Sequence, residues 1–272
     1  MSSVIVDRFG ESASEWFPVD RLPLLASIRA DGRTGYRAEG ISDEEFYALI
    51  SVLAGRSLII TRTGSQLPLI QHTIDMGQGG KLLNVIEVSG DARRIRILYG
   101  NAQYGSIPSI ELHIHMAANA AGVLEGFSTP AAVHAHPYHL LRLDRYRLIH
   151  GEFKLFNAAL YTQIEGLNRN YSGLVAVVPY EPSGSASLVR ASLQKIQAHR
   201  LILWMNHGFL ARDTSIRQAY MLTALAEESA RAALDTIADG ALGLPRESVE
   251  ALLVENDLMD AYESLSLHFK QS

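Results

Sequence analysis

Hydrophobic and polar positions predict a series of short elements along the first part of the chain. Residues 1–40 show little periodicity, and their glycines are typical of turns. Ser42 and Glu45 form a capping box before a helix whose apolar residues recur every three or four positions, and Gly55 ends it. Three strands are then expected, the last two forming a β-hairpin: Ser57–Arg62, Leu82–Val88 and Arg93–Tyr99.

Strands and helices alternate over the second half of the chain. Helices are expected over Leu112–Leu124, from Ser185 to about Ala198 and from about Thr214 to Ala238. Buried strands are expected over Ala131–His136, Gly173–Pro179 and Leu201–Met205. This alternation indicates an α/β fold, and the hairpin indicates that its sheet is mixed rather than purely parallel. Residues 241–272 are expected to form peripheral helices, and the lack of repeats or linkers favours one domain over residues 1–272.

Composition narrows the function classes. The 272 residues include 24 Lys and Arg against 29 Asp and Glu, a net charge of −5, and no cysteine. Mild acidity argues against a general nucleic-acid binder. Without cysteine there are no disulfides, thiolate metal sites or cysteine nucleophiles, so a transition metal must bind histidine and carboxylate groups. No apolar run approaches the roughly 18 residues of a membrane span, and we expect a cytoplasmic protein without a membrane partner.

The pattern His134-Ala135-His136 is the sharpest chemical feature of the sequence. Residues i and i+2 of a strand share a face, so the two imidazoles can chelate one ion; the alternative is a pair of inert, hydrogen-bonded histidines. His207 follows the buried strand Leu201–Met205 and precedes Gly208, at a strand end where α/β sheets place their sites. Three histidine ligands would leave an open coordination position, as catalytic zinc sites require.

Other candidates are weaker on position alone. His113 and His115 form a second pair, but on a helix residues i and i+2 point about 200° apart, so they are not expected to chelate an ion. Glu111 lies at the first turn of the same helix. It is either a partner of the helix dipole or a general base beside the metal.

Four motifs together resemble the class II aldolase/adducin superfamily. In chain order they are Thr63-Gly64-Ser65, Ser109-Ile110-Glu111-Leu112, Val133-His134-Ala135-His136-Pro137 and Leu203-Trp204-Met205-Asn206-His207-Gly208. The resemblance covers roughly residues 57–238 and is strongest to the L-rhamnulose-1-phosphate aldolases. It implies a three-layer α-β-α sandwich with a mixed, largely antiparallel central sheet, usually assembled as a homotetramer with active sites near subunit boundaries.

The resemblance also implies roles for individual residues. The metal ligands would be His134, His136 and His207, holding Zn²⁺ or another divalent ion such as Mn²⁺ or Co²⁺. Glu111 would be the catalytic carboxylate. The residues of the phosphate-binding loops would be Thr63, Gly64, Ser65 and Ser109.

The sequence departs from the family pattern in the predicted phosphate site. The stretch 30–36 has glycines but lacks the family's Gly-Asn pair, and Ile110 replaces a second hydroxyl residue. Both changes remove hydrogen-bond donors, which puts a phosphorylated substrate in question. A second acid of the rhamnulose-phosphate aldolases would align at or beside Glu165, a weak candidate because Gly166 falls on that position without a gap.

These residues together predict a metal-dependent aldolase acting on a ketose or ketose phosphate, a small carbohydrate. The ion would stabilise an enediolate while Glu111 moves the proton on its carbon. One alternative is a pentulose-phosphate 4-epimerase, which uses the same bond cleavage without releasing fragments. The other is an adducin-like binding module without catalysis, which the three histidines and Glu111 argue against.

Overall fold

The chain falls into two compact units. A computed structural model describes residues 16–18, 44–62, 65, 69–100, 108–146, 153–171, 173–239 and 246–269. The first unit takes Met1–Ala120 and Pro182–Arg190, and the second takes Ala121–Glu181 and Ala191–Ser272. Within the described residues, each unit contains one sheet of four strands.

The sheet of the first unit is antiparallel, with its strands in the order β1-β4-β3-β2. These strands are β1 Phe17–Pro18, β2 Ser57–Thr61, β3 Leu83–Val88 and β4 Arg94–Tyr99. The helices are α1 Glu44–Ile50, α2 Ile70–Asp75 and the beginning of α3, Leu112–Leu124, which continues into the second unit. Short 3₁₀ turns cover Ser51–Leu53 and Gly79–Lys81.

The predicted hairpin is present as β3 and β4. Ile86 and Ile95 are fully buried on the inner face, as the alternation of apolar and polar positions requires. The Ser89 hydroxyl accepts from the Arg94 N–H at 2.9 Å and donates to Asp91, which closes the turn. Strand β2 then pairs with β3 over its whole length, so the predicted strand from Ser57 is also confirmed.

The sheet of the second unit is mixed, with its strands in the order β5-β8-β7-β6. These strands are β5 Ala131–Ala135, β6 Ala176–Val178, β7 Leu201–Trp204 and β8 Gly208–Asp213. Only β6 and β7 run parallel among the described strand pairs. The helices are α4 Tyr138–Asp144, α5 Phe153–Tyr161, α6 Glu165–Asn170, the end of α7 Ala186–Ile196, α8 Ile216–Ala238, α9 Arg246–Glu255 and α10 Met259–Phe269.

Strand β8 was not anticipated from the sequence, although all of its residues are buried. The strand ends in the charged residues Arg212 and Asp213, so its sequence lacks the continuous apolar run that would predict a buried strand. Arg212 is only 2% exposed because its guanidinium donates to the Glu125 carboxylate at 2.5 Å and to the Ile196 carbonyl at 2.9 Å. A buried charge is tolerated when it is paired in this way, but the sequence shows no sign of the pairing.

The long helix α8 follows its predicted bounds closely. Ser215 accepts from the Gln218 N–H at 3.3 Å and caps its N-terminus. Its buried face is built from small side chains, including Ala219, Ala226, Ala230 and Ala233. The predicted C-terminal helices are also present, and residues such as Leu253 and Leu258 belong to the core of this unit.

The α/β class and the largely antiparallel pairing are confirmed. The strands among the described residues form two sheets of four, whereas the resemblance implied one central sheet. Within the described residues, no helix is both long and apolar enough to span a membrane.

Candidate active site

Three histidines of the second unit form a cluster that could hold a metal ion. His134 and His136 lie on and just beyond β5, and His207 lies in the turn between β7 and β8. One ligand nitrogen from each lies within 4.8 Å of the others. No other group of three or more His, Asp or Glu side chains meets this criterion in the part of the chain that the structure describes. The structure therefore brings together the three residues that the sequence singled out.

Sheet pairing explains why residues so far apart in sequence meet. Strand β8 pairs antiparallel with both β5 and β7, so it brings the ends of these two strands together. The turn before β8 contains Asn206 at a positive φ of 56°, a conformation that asparagine tolerates well. The Asn206 N–H donates to the Asp144 carboxylate at 2.8 Å, which holds the turn in place next to His207.

Gly208 has no side chain, and the imidazoles of His134 and His136 occupy the space where one would lie. A Cβ atom at this position would lie 2.5 Å from His134 Cε1, 2.8 Å from His136 Cδ2 and 3.0 Å from the Ala135 carbonyl oxygen. All three distances are shorter than an ordinary van der Waals contact, and two of them involve candidate ligands. The glycine after His207, which the sequence included in the His207 motif without a role of its own, therefore leaves free the space that the imidazoles need.

The ring of His134 is oriented by the backbone of β8. Its Nδ1 lies 3.2 Å from the Phe209 carbonyl oxygen, which can only accept a hydrogen bond. This contact assigns the proton to Nδ1 and leaves Nε2 to bind an ion, the usual arrangement of a metal-binding histidine. Three neutral imidazoles without thiolate are a donor set suited to Zn²⁺, Mn²⁺, Co²⁺ or Fe²⁺, so the residues present fit a divalent metal.

Trp204 forms an apolar wall beside two of the histidines. Its indole lies 5.1 Å from the His207 ring and 4.8 Å from the His134 ring, measured between ring centroids. The side chain is 1% exposed, and its Nε1–H donates to the buried Ser192 hydroxyl at 3.0 Å. The wall restricts how far either imidazole can turn.

Glu111 belongs to the first unit, where two serines hold its carboxylate. It precedes α3 and is 6% exposed. The Ser109 hydroxyl donates to Oε2 at 3.0 Å, and the Ser183 hydroxyl donates to Oε1. Burial with a hydrogen bond to each oxygen makes Glu111 more than a surface partner of the helix dipole. Its role as a general base is a prediction that the structure does not test.

A partly buried histidine lies one helical turn after this carboxylate. Burial lowers the pKa of the His115 imidazole, and the nearby Glu111 charge opposes that shift. His115 and His113 lie on α3, as predicted, and neither belongs to the cluster of three histidines.

The predicted phosphate-binding residues and Glu165 are described only in part. Thr63, Gly64 and the stretch 30–36 lie outside the described residues. The Ser65 hydroxyl donates to the Leu82 carbonyl at 2.8 Å. Glu165 is the first residue of α6, exposed to solvent, and is not a member of the histidine cluster.

Ser183 and Ser192 were missed by the sequence reasoning. Ser192 bonds to Trp204, 12 residues away, and lies on the buried face of α7 with Leu188, Leu193 and Ile196, so the helical period could have marked it as buried. Ser183 bonds to Glu111, 72 residues away, and lies in no periodic pattern. Its only local signal was the following Gly184-Ser185, typical of a turn before a helix.

Comparison with known proteins identifies the family of the chain. Residues 44–234 match the family described as Class II Aldolase and Adducin N-terminal domain. Rhamnulose-1-phosphate aldolase from Listeria monocytogenes (strain HCC23) is 24% identical over 208 residues, covering 74% of this chain and 71% of that protein. Rhamnulose-1-phosphate aldolase from Klebsiella pneumoniae (strain 342) is 23% identical over 239 residues, covering 86% and 84%.

A solved structure shares the fold. The sugar-phosphate aldolase from Thermotoga maritima superposes with a TM-score of 0.55 at 22% identity, covering 69% of this chain and 75% of that one. Because the family match spans most of the chain, the protein belongs to the class II aldolase and adducin family. The predicted resemblance to rhamnulose-phosphate aldolases is likewise confirmed.

Proposed function

We propose that the protein is a metal-dependent aldolase that cleaves or forms a carbon–carbon bond in a ketose 1-phosphate. The cluster of His134, His136 and His207 carries the proposal, because three protein ligands that leave a coordination position open are typical of catalytic rather than structural zinc sites. The names of the relatives support a sugar phosphate as substrate and make L-rhamnulose 1-phosphate the first compound to test.

The three histidines would hold the ion, with Zn²⁺ as the proposed metal. When bound, a divalent ion supplies Lewis-acid stabilisation of negative charge on the substrate's oxygens. The contact of His134 with the Phe209 carbonyl keeps Nε2 available for this binding. Trp204 excludes water from one side of the two rings that it contacts, which strengthens electrostatic interactions there.

Glu111 would move the proton. In the cleavage direction the C4 hydroxyl loses its proton to water and becomes the aldehyde carbonyl. The C3–C4 electron pair forms the enediolate of the phosphate-bearing fragment, and Glu111 in its acid form delivers a proton to C3. In the synthetic direction the carboxylate takes that proton, and the C–H electron pair becomes part of the enediolate double bond. Hydrogen bonds from Ser109 and Ser183 hold the carboxylate for either step.

Several finer assignments accompany the proposal and stay predictions. Phosphate binding is assigned to Thr63, Gly64, Ser65 and Ser109, and a weak auxiliary role to Glu165. The family match runs through segments of both compact units, which supports treating residues 1–272 as one class II aldolase-like domain. A homotetramer and a cytoplasmic location remain the expectations stated from the sequence.

Elemental analysis combined with a cleavage assay tests the function. We expect about one divalent ion per chain in protein purified without chelator, and release of two carbonyl fragments from L-rhamnulose 1-phosphate or a related ketose 1-phosphate. His134→Ala should lose the ion, and Glu111→Gln should keep the ion but lose fragment release. His72→Ala is the matched control, because this exposed histidine lies on α2 outside the cluster.

Product analysis separates the alternatives. An epimeric sugar without fragments would identify a 4-epimerase. Protein that binds no ion, even after zinc is added, would contradict the proposal and favour an adducin-like binding module.

A further inference from the structure

Two serines, one close to Glu111 in sequence and one far from it, bind the Glu111 carboxylate. Ser109 is a local partner, two residues before the glutamate. Ser183 comes from 72 residues further along the chain, and its hydroxyl donates to the other carboxylate oxygen, Oε1. A local turn explains the first contact. The second requires that the turn around Ser183 be placed accurately.

The turn of residues 182–185 is fixed at its far end by the helix that follows. The Ser185 N–H donates to the Pro182 carbonyl at 3.1 Å, which closes the turn. The Ser185 hydroxyl accepts from the Leu188 N–H at 3.1 Å and so caps α7. The position of Ser183 is therefore tied to a regular element rather than to a free loop.

The turn is also fixed by a close approach of Gly184 to Ile110, the residue before Glu111. Gly184 has a φ of +68°, and a Cβ atom there would lie 2.3 Å from Ile110 Cγ1 and 3.3 Å from the Ile110 carbonyl oxygen. Only glycine permits this packing, on grounds of both space and backbone conformation. Ser183 precedes Gly184, and Glu111 follows Ile110. The packing of Gly184 on Ile110 therefore places the Ser183 hydroxyl against the Glu111 carboxylate.

We propose that Ser183 is a positioning residue for Glu111, on the basis of the function proposed above. With one hydroxyl on each oxygen, the carboxylate cannot rotate without losing a hydrogen bond, so the lone pairs that remain keep a fixed direction. A serine hydroxyl both donates and accepts, so it can stay bonded when Glu111 gains a proton and when it loses one. Ser183 thus orients the group that exchanges the proton, without itself touching the reacting carbon.

Solvent exchange measures this proton transfer apart from bond cleavage. The metal-loaded protein is incubated with dihydroxyacetone phosphate in D₂O, and loss of the carbon-bound proton is followed by NMR. We expect Ser183→Ala to lower the turnover of exchange and of cleavage by about 10- to 100-fold, with KM and metal content within about threefold of the unsubstituted protein. Ser183→Thr keeps a hydroxyl and should recover most of the rate.

Two further variants separate positioning from general damage to the turn. Ser187→Ala is the matched control, because this hydroxyl lies four residues on and contacts Ser185 rather than Glu111. Gly184→Ala should push the turn off Ile110 and reproduce the loss seen in Ser183→Ala, and the double substitution should cost little more than either alone.

Other results would overturn the proposal or the function on which it rests. Exchange that persists at full rate in Ser183→Ala would overturn the proposal, as would a loss that Ser183→Thr does not recover or that follows loss of the metal. Undiminished exchange in Glu111→Gln would instead refute the assigned base and leave the metal-dependent aldolase standing. Failure of the unsubstituted protein to catalyse either exchange or cleavage would refute the proposed function, and this inference with it.

Discussion

The indole of Trp204 stacks on the imidazole of His207, with an angle of 26° between the rings and 5.1 Å between their centroids. The same indole meets His134 at a steeper angle of 51°. One buried side chain therefore contacts two of the three candidate ligands. Because its Nε1–H is bonded to Ser192, the indole is itself fixed, so it can fix the imidazoles in turn.

Removing this wall should weaken metal binding, and because the Trp204 side chain is fully buried it should also lower the free energy of unfolding by about 3–5 kcal/mol. Side chains that support metal ligands typically contribute 10- to 100-fold in affinity, and we expect a loss in that range for Trp204→Ala. Trp204→Phe keeps an aromatic face and should lose less than tenfold. Competition with a chromophoric chelator measures the affinity of both variants.

The fluorescence of Trp204 offers an independent check. The chain has two tryptophans, so a Trp16→Phe variant reports on Trp204 alone. Co²⁺ bound beside the indole should quench this emission in a saturable manner with one equivalent. Quenching that is absent, or that remains after His207→Ala, would contradict the assigned position of the ion.

Gly208→Ala should disrupt the ligand cluster directly. Its Cβ would meet both strand histidines and the Ala135 carbonyl, and the backbone atom cannot move aside without distorting the pairing of β5 with β8. We expect metal affinity to fall by at least tenfold and the free energy of unfolding to fall by about 1–3 kcal/mol. Gly90→Ala is the control, because nothing lies within 4 Å of its Cβ position. Equal metal affinity in both variants would show that the space at residue 208 is not needed.

Sequence reasoning was most successful where chemistry and periodicity coincide. The histidines of the cluster were found because the spacing on β5 and the strand end before His207 are both visible in the chain. Helix α8 and the hairpin were found because their apolar positions repeat with the correct period. These features are local, so each can be read from a short window.

What escaped prediction depends on contacts between distant segments. Strand β8 was not predicted because it contains Arg212, whose buried charge is stabilised by the ion pair with Glu125. Ser183 gains its meaning from a hydrogen bond across 72 residues. The division of the strands into two sheets likewise depends on which strands pair, and hydrophobic alternation does not specify the partner.

The depressed pKa of His115 predicts a pH-dependent stability with a definite sign. Because burial lowers the pKa in the folded state, the unfolded chain binds the proton more readily, starting near the ordinary value of about 6.5. The stabilising contribution is therefore present above that pH and lost as the pH falls towards the folded-state pKa. His115→Gln should show a shallower decrease in unfolding free energy than the unsubstituted protein between pH 7.5 and 5.5.

Urea denaturation at a series of pH values, with chelator present, measures this difference. Any bound metal is then removed from both proteins, and the comparison isolates residue 115. His72→Gln, at an exposed position on α2, should leave the slope unchanged. Parallel curves for His115→Gln and the unsubstituted protein would show that His115 titrates alike in both states.

Glu227 should support the metal site from a distance. Helix α4 begins two residues after His136, and the residue at its N-cap, Pro137, makes no side-chain cap. Glu227 of α8 takes over this role: its carboxylate accepts from the N–H groups of His139 and Leu140, each at 2.9 Å, and contacts the His139 ring at 2.8 Å. The start of α4, and with it the chain leaving His136, is thereby tied to the longest helix.

Glu227→Ala should therefore affect stability and the metal together. Loss of an N-terminal cap costs about 0.5–2 kcal/mol, and we expect a decrease in unfolding free energy in the upper half of that range because the acceptor is charged. Metal affinity should fall by about 3- to 10-fold as the backbone after His136 loosens. The neighbouring Glu228 provides the control: it pairs with Arg231 on the exposed face of the same helix, so Glu228→Ala should change stability by less than about 0.5 kcal/mol and leave the affinity unchanged. If Glu227→Ala destabilises the protein but binds metal with full affinity, then the position of His136 does not depend on this cap.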